Sequence, residues 1–77
     1  MKELVGIMAK ALVDNPAQVE VTEIAGRATS VIELKKAKED MGKIIGKKGR
    51  NVQAMRLILN SASRKLGKHV VLEIIEQ

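Results

Sequence analysis

The chain has 77 residues, a net charge of +5, one histidine, and neither cysteine nor aromatic residues. This length suits a single domain, residues 1–77, which is too small to enclose a deep catalytic cavity. The composition argues against a disulfide framework and a zinc site, and we predict no metal and no cofactor. Because Gly6 and Lys10 interrupt the N-terminal apolar residues, we expect neither a signal peptide nor membrane association, and therefore a cytoplasmic protein.

The first half of the chain predicts a helix and a β-hairpin. Apolar residues fall on one helical stripe over residues 2–13. Val19 and Val21, with Ile24 as an open alternative, alternate with polar residues and predict a first strand, and residues 29–35 alternate again. A glycine-containing turn between the two stretches predicts that they pair as a hairpin.

The second half of the chain predicts two helices and a final strand. Residues 38–45 fit a short helix in which Glu39 and Asp40 occupy the first turn, where the helix dipole favours carboxylates. Residues 50–66 fit a long helix whose apolar repeat ends at Leu66, with Gly67 as its C-terminal cap. Residues 69–76 fit a strand. The order α-β-β-α-α-β predicts an α+β domain in which three helices cover one face of a three-stranded sheet.

The other face of this sheet has no predicted covering element. The alternation along the strands places Val31, Val71 and Ile75 on this face, among charged residues. Such a group indicates either a partner surface or scattered aliphatic residues of the kind that small proteins commonly expose. The sequence leaves both interpretations open.

The segment between the two C-terminal helices is unusually rich in glycine and cations. Residues 42–50 hold three glycines and four basic residues. Gly46 and Gly49 allow a positive φ and let another backbone come close, while Lys47 and Lys48 lie between them. The long helix that begins at Arg50 adds free N–H groups and a partial positive charge. These features predict a phosphate-binding loop.

The positive charge of the chain is concentrated around this loop. Residues 35–50 contain seven basic and two acidic residues, so this window alone carries a net charge of +5. The rest of the chain is neutral overall. A lysine-rich stretch can simply be a solvated surface, but here it coincides with the glycines and the helix start, and a local basic field of this kind predicts a polyanionic partner.

With its flanking helices, one string of residues resembles the I-G-x-x-G signature of the KH domain: Ile44-Ile45-Gly46-Lys47-Lys48-Gly49-Arg50. The additional helix and strand precede the core elements, which is the arrangement of the type II, prokaryotic KH fold. The resemblance spans the full chain. Over residues 38–56 the chain is similar to the small stand-alone bacterial KH proteins.

The resemblance implies that the loop clamps the backbone of about four single-stranded nucleotides, with the bases in an apolar groove beside it. Together with the basic charge around the loop, this predicts as RNA-binding residues Lys43, Ile44, Ile45, Gly46, Lys47, Lys48, Gly49, Arg50, Val52 and Arg56. The apolar residues Ile44, Ile45, Val52 and Met55 are candidates for the groove or for the core behind it, and Arg56 either contacts a phosphate or pairs with a carboxylate. Without aromatic residues, bases would be held by aliphatic contacts, so we expect modest affinity.

Taken together, these features predict a non-catalytic protein that binds single-stranded RNA with low sequence specificity, as an RNA chaperone or a post-transcriptional regulator. No catalytic residue is predicted, because His69 has no nucleophile or carboxylate nearby in the pattern. The alternative is a protein–protein interaction module, a homodimer or a heterodimer subunit, in which RNA binding is secondary. The resemblance implies partners of this kind, either a second copy of the chain or a larger KH-containing protein.

Overall fold

The computed structural model of the chain describes residues 1–75, and this part of the chain contains three α-helices and three β-strands. In chain order they are α1 (Lys2–Leu12), β1 (Glu20–Ala25), β2 (Thr29–Lys35), α2 (Met41–Ile45), α3 (Arg50–Lys65) and β3 (His69–Ile74). Short 3₁₀ turns cover Pro16–Gln18, Lys38–Asp40 and Lys47–Gly49. The predicted α+β class and the order α-β-β-α-α-β are confirmed. The predicted last strand extended to Glu76, which lies outside the described residues.

The three strands form one mixed sheet with β2 in the centre. β1 pairs with β2 in antiparallel orientation, whereas β3 pairs with β2 in parallel. A parallel pair cannot be joined by a tight turn, so the chain crosses over through α2, the glycine-rich loop and α3 before it returns as β3. The loop therefore lies within the connection between the two parallel strands.

The core lies between the helices and one face of the sheet. Alternate residues of β2 and β3 point into it, as the sequence alternation predicts, and so does one stripe of each helix. The buried apolar residues of this cluster are Val5, Ala9, Ile32, Leu34, Ile44, Val52, Met55, Leu59, Val70 and Leu72.

The C-terminal end of α3 departs from the apolar repeat of the sequence. That repeat predicts that Leu66 continues the buried stripe, but Leu66 is 64% exposed and Ser63 is buried instead. The reason is the helix end. Gly67 adopts φ +67°, its N–H donates to the carbonyl of Arg64 and the N–H of Lys68 donates to that of Ser63, which is the Schellman arrangement. The predicted cap at Gly67 is confirmed, and Leu66 lies beyond the last packed turn.

The start of α2 also differs from the sequence expectation. Asp40 is buried, and its carboxylate accepts hydrogen bonds from the backbone N–H groups of Asp14 and Asn15 and from the Asn15 side-chain amide. Burial alone would raise the pKa of Asp40, but these hydrogen bonds and the positive charge of Lys43 outweigh it and lower the pKa below its usual value. The sequence predicts that Asp40 interacts only with the helix dipole, but its hydrogen bonds also connect the segment after α1 to the start of α2.

The face of the sheet away from the helices, here called the open sheet face, carries a row of aliphatic residues. The strand register pairs Ile24 with Val31 and Val31 with Val71, so one residue from each strand lies in the row. Ile24 is 55% exposed and Val71 is 36% exposed. Ile24 follows Val21 by three positions, an odd number, so the two side chains point to opposite faces of the sheet. Ile24 is therefore part of β1 but does not share the face of Val21. Ile75 is half-buried beyond the end of β3.

Candidate nucleic-acid interface

The loop of residues 46–49 is a tight turn held by unusual backbone angles. Gly46, Lys48 and Gly49 have φ values of +76°, +56° and +75°, and the Gly49 N–H donates to the Gly46 carbonyl at 3.1 Å. The left-handed angles of Lys48 are uncommon for a residue other than glycine, asparagine or aspartate. The sequence predicts positive φ at the two glycines, but it gives no signal for the same geometry at Lys48.

The two glycines are required for different reasons. A Cβ atom on Gly46 would lie 2.6 Å from Cγ of Asn51, so the space that glycine leaves there is filled by the chain itself. A Cβ atom on Gly49 would meet nothing closer than Nε2 of Gln53 at 3.9 Å. The expectation that both glycines leave room for a ligand backbone therefore fits Gly49, whereas Gly46 makes room for Asn51.

Asn51, which the sequence pattern did not single out, lies beside the loop. Its side-chain amide donates to the carbonyl of Lys43 at 2.8 Å and so connects the first turn of α3 to the last turn of α2. The only sequence signal is an asparagine in the first turn of a helix, where a short amide side chain often bonds to nearby backbone. Such a signal does not specify the partner.

The basic residues around the loop are not equivalent. Lys47, Lys48 and Arg50 are exposed in solvent. Lys43, in contrast, binds the carboxylate of Asp14, and this hydrogen bond raises the pKa of Lys43 above its usual value despite partial desolvation. The three cations at positions 47, 48 and 50 are therefore more available to a ligand than Lys43.

The start of α3 adds to the positive field. Within the described part of the chain, no side chain caps its first turn, and that turn contains no acidic residue. The first N–H groups of a helix have no intrahelical partner and carry a partial positive charge. Lys47, Lys48 and Arg50 thus stand beside a helix end that itself favours an anion.

The structure separates the apolar candidates that the sequence left open. Ile44 is fully buried, Met55 is buried, and Val52 is only 7% exposed, so these three side chains belong to the core. Ile45 is 37% exposed and is the one of the four that offers an apolar surface beside the loop. Ile44 and Val52 are placed to support the loop from behind.

Arg56 lies on α3 about 9 Å beyond Arg50, at about 1.5 Å per residue. Its guanidinium group points toward β3 and makes a long contact of 3.4 Å with the carbonyl of Leu72. It lines a cleft of about 200 Å³ between α3 and β3, with Leu59, Asn60 and residues 69–72. Among residues 1–75, Arg56 forms no ion pair with a carboxylate, so the carboxylate alternative has no support in the structure. Arg56 is instead an unpaired cation beside this cleft within the same residues.

Comparison with known proteins finds relatives over nearly the whole chain. Residues 2–74 match the family model for the KhpA/KhpB KH domain. The RNA-binding protein KhpA of Caldanaerobacter subterraneus subsp. tengcongensis is 57% identical over 75 residues, which cover 97% of this chain and 100% of the relative. The protein of the same name from Aquifex aeolicus is 53% identical, over 99% of this chain and 96% of the relative. The one from Chlamydia pneumoniae is 44% identical, over 100% of this chain and 99% of the relative. No solved structure shows a significant match to the chain. In the described residues, no helix has the length and apolar character needed to span a membrane.

Proposed function

Because the chain belongs to the KhpA/KhpB family of KH domains, we propose that it binds single-stranded RNA in the cytoplasm and catalyses no reaction. The observation that carries this proposal is the loop of residues 46–49. It holds two exposed lysines in a tight turn directly before a helix start that no side chain of residues 1–75 caps. Relatives that match 97% and 99% of the chain are named RNA-binding proteins, and this loop is the part of the chain best suited to a phosphate backbone.

In the proposed complex, Lys47, Lys48 and Arg50 contact phosphates, and the start of α3 contributes its N–H groups. Ile45 offers an aliphatic surface to a base, and Arg56 lies where the RNA could continue along α3. Phosphate contacts carry no sequence information directly, and aliphatic contacts discriminate weakly between bases. The proposal therefore includes low sequence specificity and modest affinity, which suit an RNA chaperone or a post-transcriptional regulator.

The dependence of RNA affinity on salt tests this proposal. If about three phosphates are neutralised, the logarithm of the association constant should fall with the logarithm of salt concentration with a slope near about −2, since each contact on a single strand contributes about −0.7. A short RNA without secondary structure should be titrated at several salt concentrations. A slope near zero would contradict the phosphate-clamp mechanism.

A second function, protein association, is favoured by the open sheet face. The aliphatic row of Ile24, Val31 and Val71 crosses all three strands of the sheet, which is more contiguous than scattered exposure requires. We propose that this face binds another protein, either a second copy of the chain or a larger, KhpB-like KH protein. RNA binding at the loop and association at this face use different surfaces, so the two functions can coexist.

A further inference from the structure

The side chain of Asn51 spans the loop. Asn51 is the second residue of α3, and its amide donates to the carbonyl of Lys43, eight positions earlier in the chain, at 2.8 Å. That carbonyl belongs to the last turn of α2, where helix carbonyls lack intrahelical partners. One hydrogen bond therefore joins the helix that precedes the loop to the helix that follows it.

The same side chain fixes the position of Gly46. A Cβ atom at Gly46 would lie 2.6, 2.8 and 2.9 Å from Cγ, Nδ2 and Cβ of Asn51, which are distances that carbon atoms do not reach without displacement. On its other side, the Gly46 N–H donates to the carbonyl of Gly42 at 2.8 Å. Gly46 is thus held between the end of α2 and the amide of Asn51.

Holding Gly46 constrains the lysines that follow it. The Gly46 carbonyl accepts the hydrogen bond from Gly49 that closes the turn, and Lys48 within the turn adopts left-handed angles that are unfavourable for lysine. A backbone in such a conformation persists only when its surroundings determine it. Asn51 contacts this turn at Gly46 from the helix that follows it.

We propose that Asn51 is a positioning residue for RNA binding, which orders the loop and leaves the phosphate contacts to the lysines. The effect on RNA affinity rests on the proposed function, whereas the ordering of the loop by Asn51 does not. A loop that is already ordered loses less conformational entropy when the ligand binds, so an ordering residue raises affinity without touching the ligand.

The test compares Asn51→Ala with Gln53→Ala, because Gln53 is an exposed amide in the same helix and makes no side-chain hydrogen bond among residues 1–75. Backbone ¹⁵N order parameters of residues 46–49 are measured in the free protein, and affinity is measured on a short unstructured RNA at fixed salt. In Asn51→Ala the order parameters should fall from about 0.85 toward about 0.6. RNA affinity should fall about three- to tenfold, the range of one lost hydrogen bond. Gln53→Ala should change neither.

The outcomes separate the role of Asn51 from the function of the loop. Weaker RNA binding with unchanged order parameters would mean that Asn51 contacts RNA directly, and would overturn the proposal, as would no change in either quantity. If order falls in Asn51→Ala but the wild-type protein does not bind RNA, the proposed function fails while the ordering role is supported.

Should Asn51→Ala fold poorly, Asn51→Asp retains the shape of the side chain and suits a helix start, yet cannot donate to the Lys43 carbonyl. Its free-state order parameters should fall in the same way, and rigid ones would overturn the proposal.

Discussion

The glycine loop and the open sheet face differ in both chemistry and backbone geometry. The loop presents exposed cations on a turn whose backbone is fixed by three positive φ angles. The open sheet face presents the aliphatic row of Ile24, Val31 and Val71, and the next row along the strands pairs Glu33 with Glu73. Cations on a fixed backbone suit a phosphate chain, whereas an apolar row beside carboxylates suits a protein surface. The difference teaches that one small domain can expose two surfaces of contrasting chemistry at the same time.

The largest expected effect comes from reversing the charge of the loop. Lys47→Asp combined with Lys48→Asp changes the net charge by four units and faces the phosphates with carboxylates, so RNA affinity should fall by more than about a hundredfold. Stability should change by less than about 0.5 kcal/mol, because both side chains are exposed and aspartate tolerates the left-handed angles at position 48. Fluorescence anisotropy and thermal melting measure the two quantities. Unchanged affinity in a folded variant would remove the loop from the function and favour the interaction-module alternative.

The complementary change should affect association alone. Val71→Glu places a charge in the aliphatic row, so complexes formed through the open sheet face should dissociate while RNA affinity per chain stays within about twofold. Sedimentation at micromolar concentration, with the variant compared against wild type, measures the association. Ile7→Glu, at an exposed aliphatic residue of α1, is the matched control. A wild-type species of 8.4 kDa that Val71→Glu leaves unchanged, with no partner recovered from cell extract, would contradict the prediction.

A third prediction concerns the two glycines of the loop. Gly49→Ala meets only the strain of a positive φ and should lower the free energy of unfolding by about 1 kcal/mol. Gly46→Ala meets the same strain and also overlaps Asn51, so its loss should be larger by about 1–3 kcal/mol. Denaturant unfolding gives both values. In an Asn51→Ala background the cost of Gly46→Ala should shrink while that of Gly49→Ala stays the same, and equal costs at the two glycines would disprove the contact.

The smallest expected effect concerns the framework behind the loop. The pKa of Asp40 lies below its usual value of 3.8 in the folded protein, so its stabilising contribution is complete above that value and disappears as the pH falls through the lower, folded-state pKa. Asp40→Asn should therefore be less stable than wild type at pH 7 and should lose less stability on acidification below about pH 4. Thermal melts between pH 3 and pH 7 measure this dependence, with Glu39→Gln as the exposed neighbouring control. Parallel pH profiles for wild type and Asp40→Asn would contradict it.

The order of elements and most of the core could be predicted from the sequence because those features follow from local periodicity. Ile32 and Leu34 in β2, and Val70 and Leu72 in β3, are buried where simple alternation places them. The positive φ values of Gly46 and Gly49 could be expected because glycine tolerates them in the turn that follows a helix. Each of these features needs information from only a few neighbouring residues.

The features that escaped prediction depend on contacts between distant parts of the chain. Asp40 binds the backbone of Asp14 and Asn15, 26 and 25 positions away, and no periodic pattern relates these residues. The fit of Asn51 against Gly46 requires the angle between two helices to be known. The aliphatic row that contains Ile24 emerges only from the register of three strands. Which candidate residues reach the surface of the site is likewise a tertiary property.

The parallel pairing of β2 with β3 sets an order of events during synthesis on the ribosome. Residues 36–68 separate the two strands, a stretch of 33 residues that takes about 2 to 7 s to translate at about 5–20 residues per second. A hairpin or a helix forms within microseconds, so β1, β2 and α1 can assemble long before β3 is made. During that interval α3 lacks the strand against which it packs. The packing of α3 against the sheet is therefore completed only after β3 has joined β2, when the domain is nearly complete.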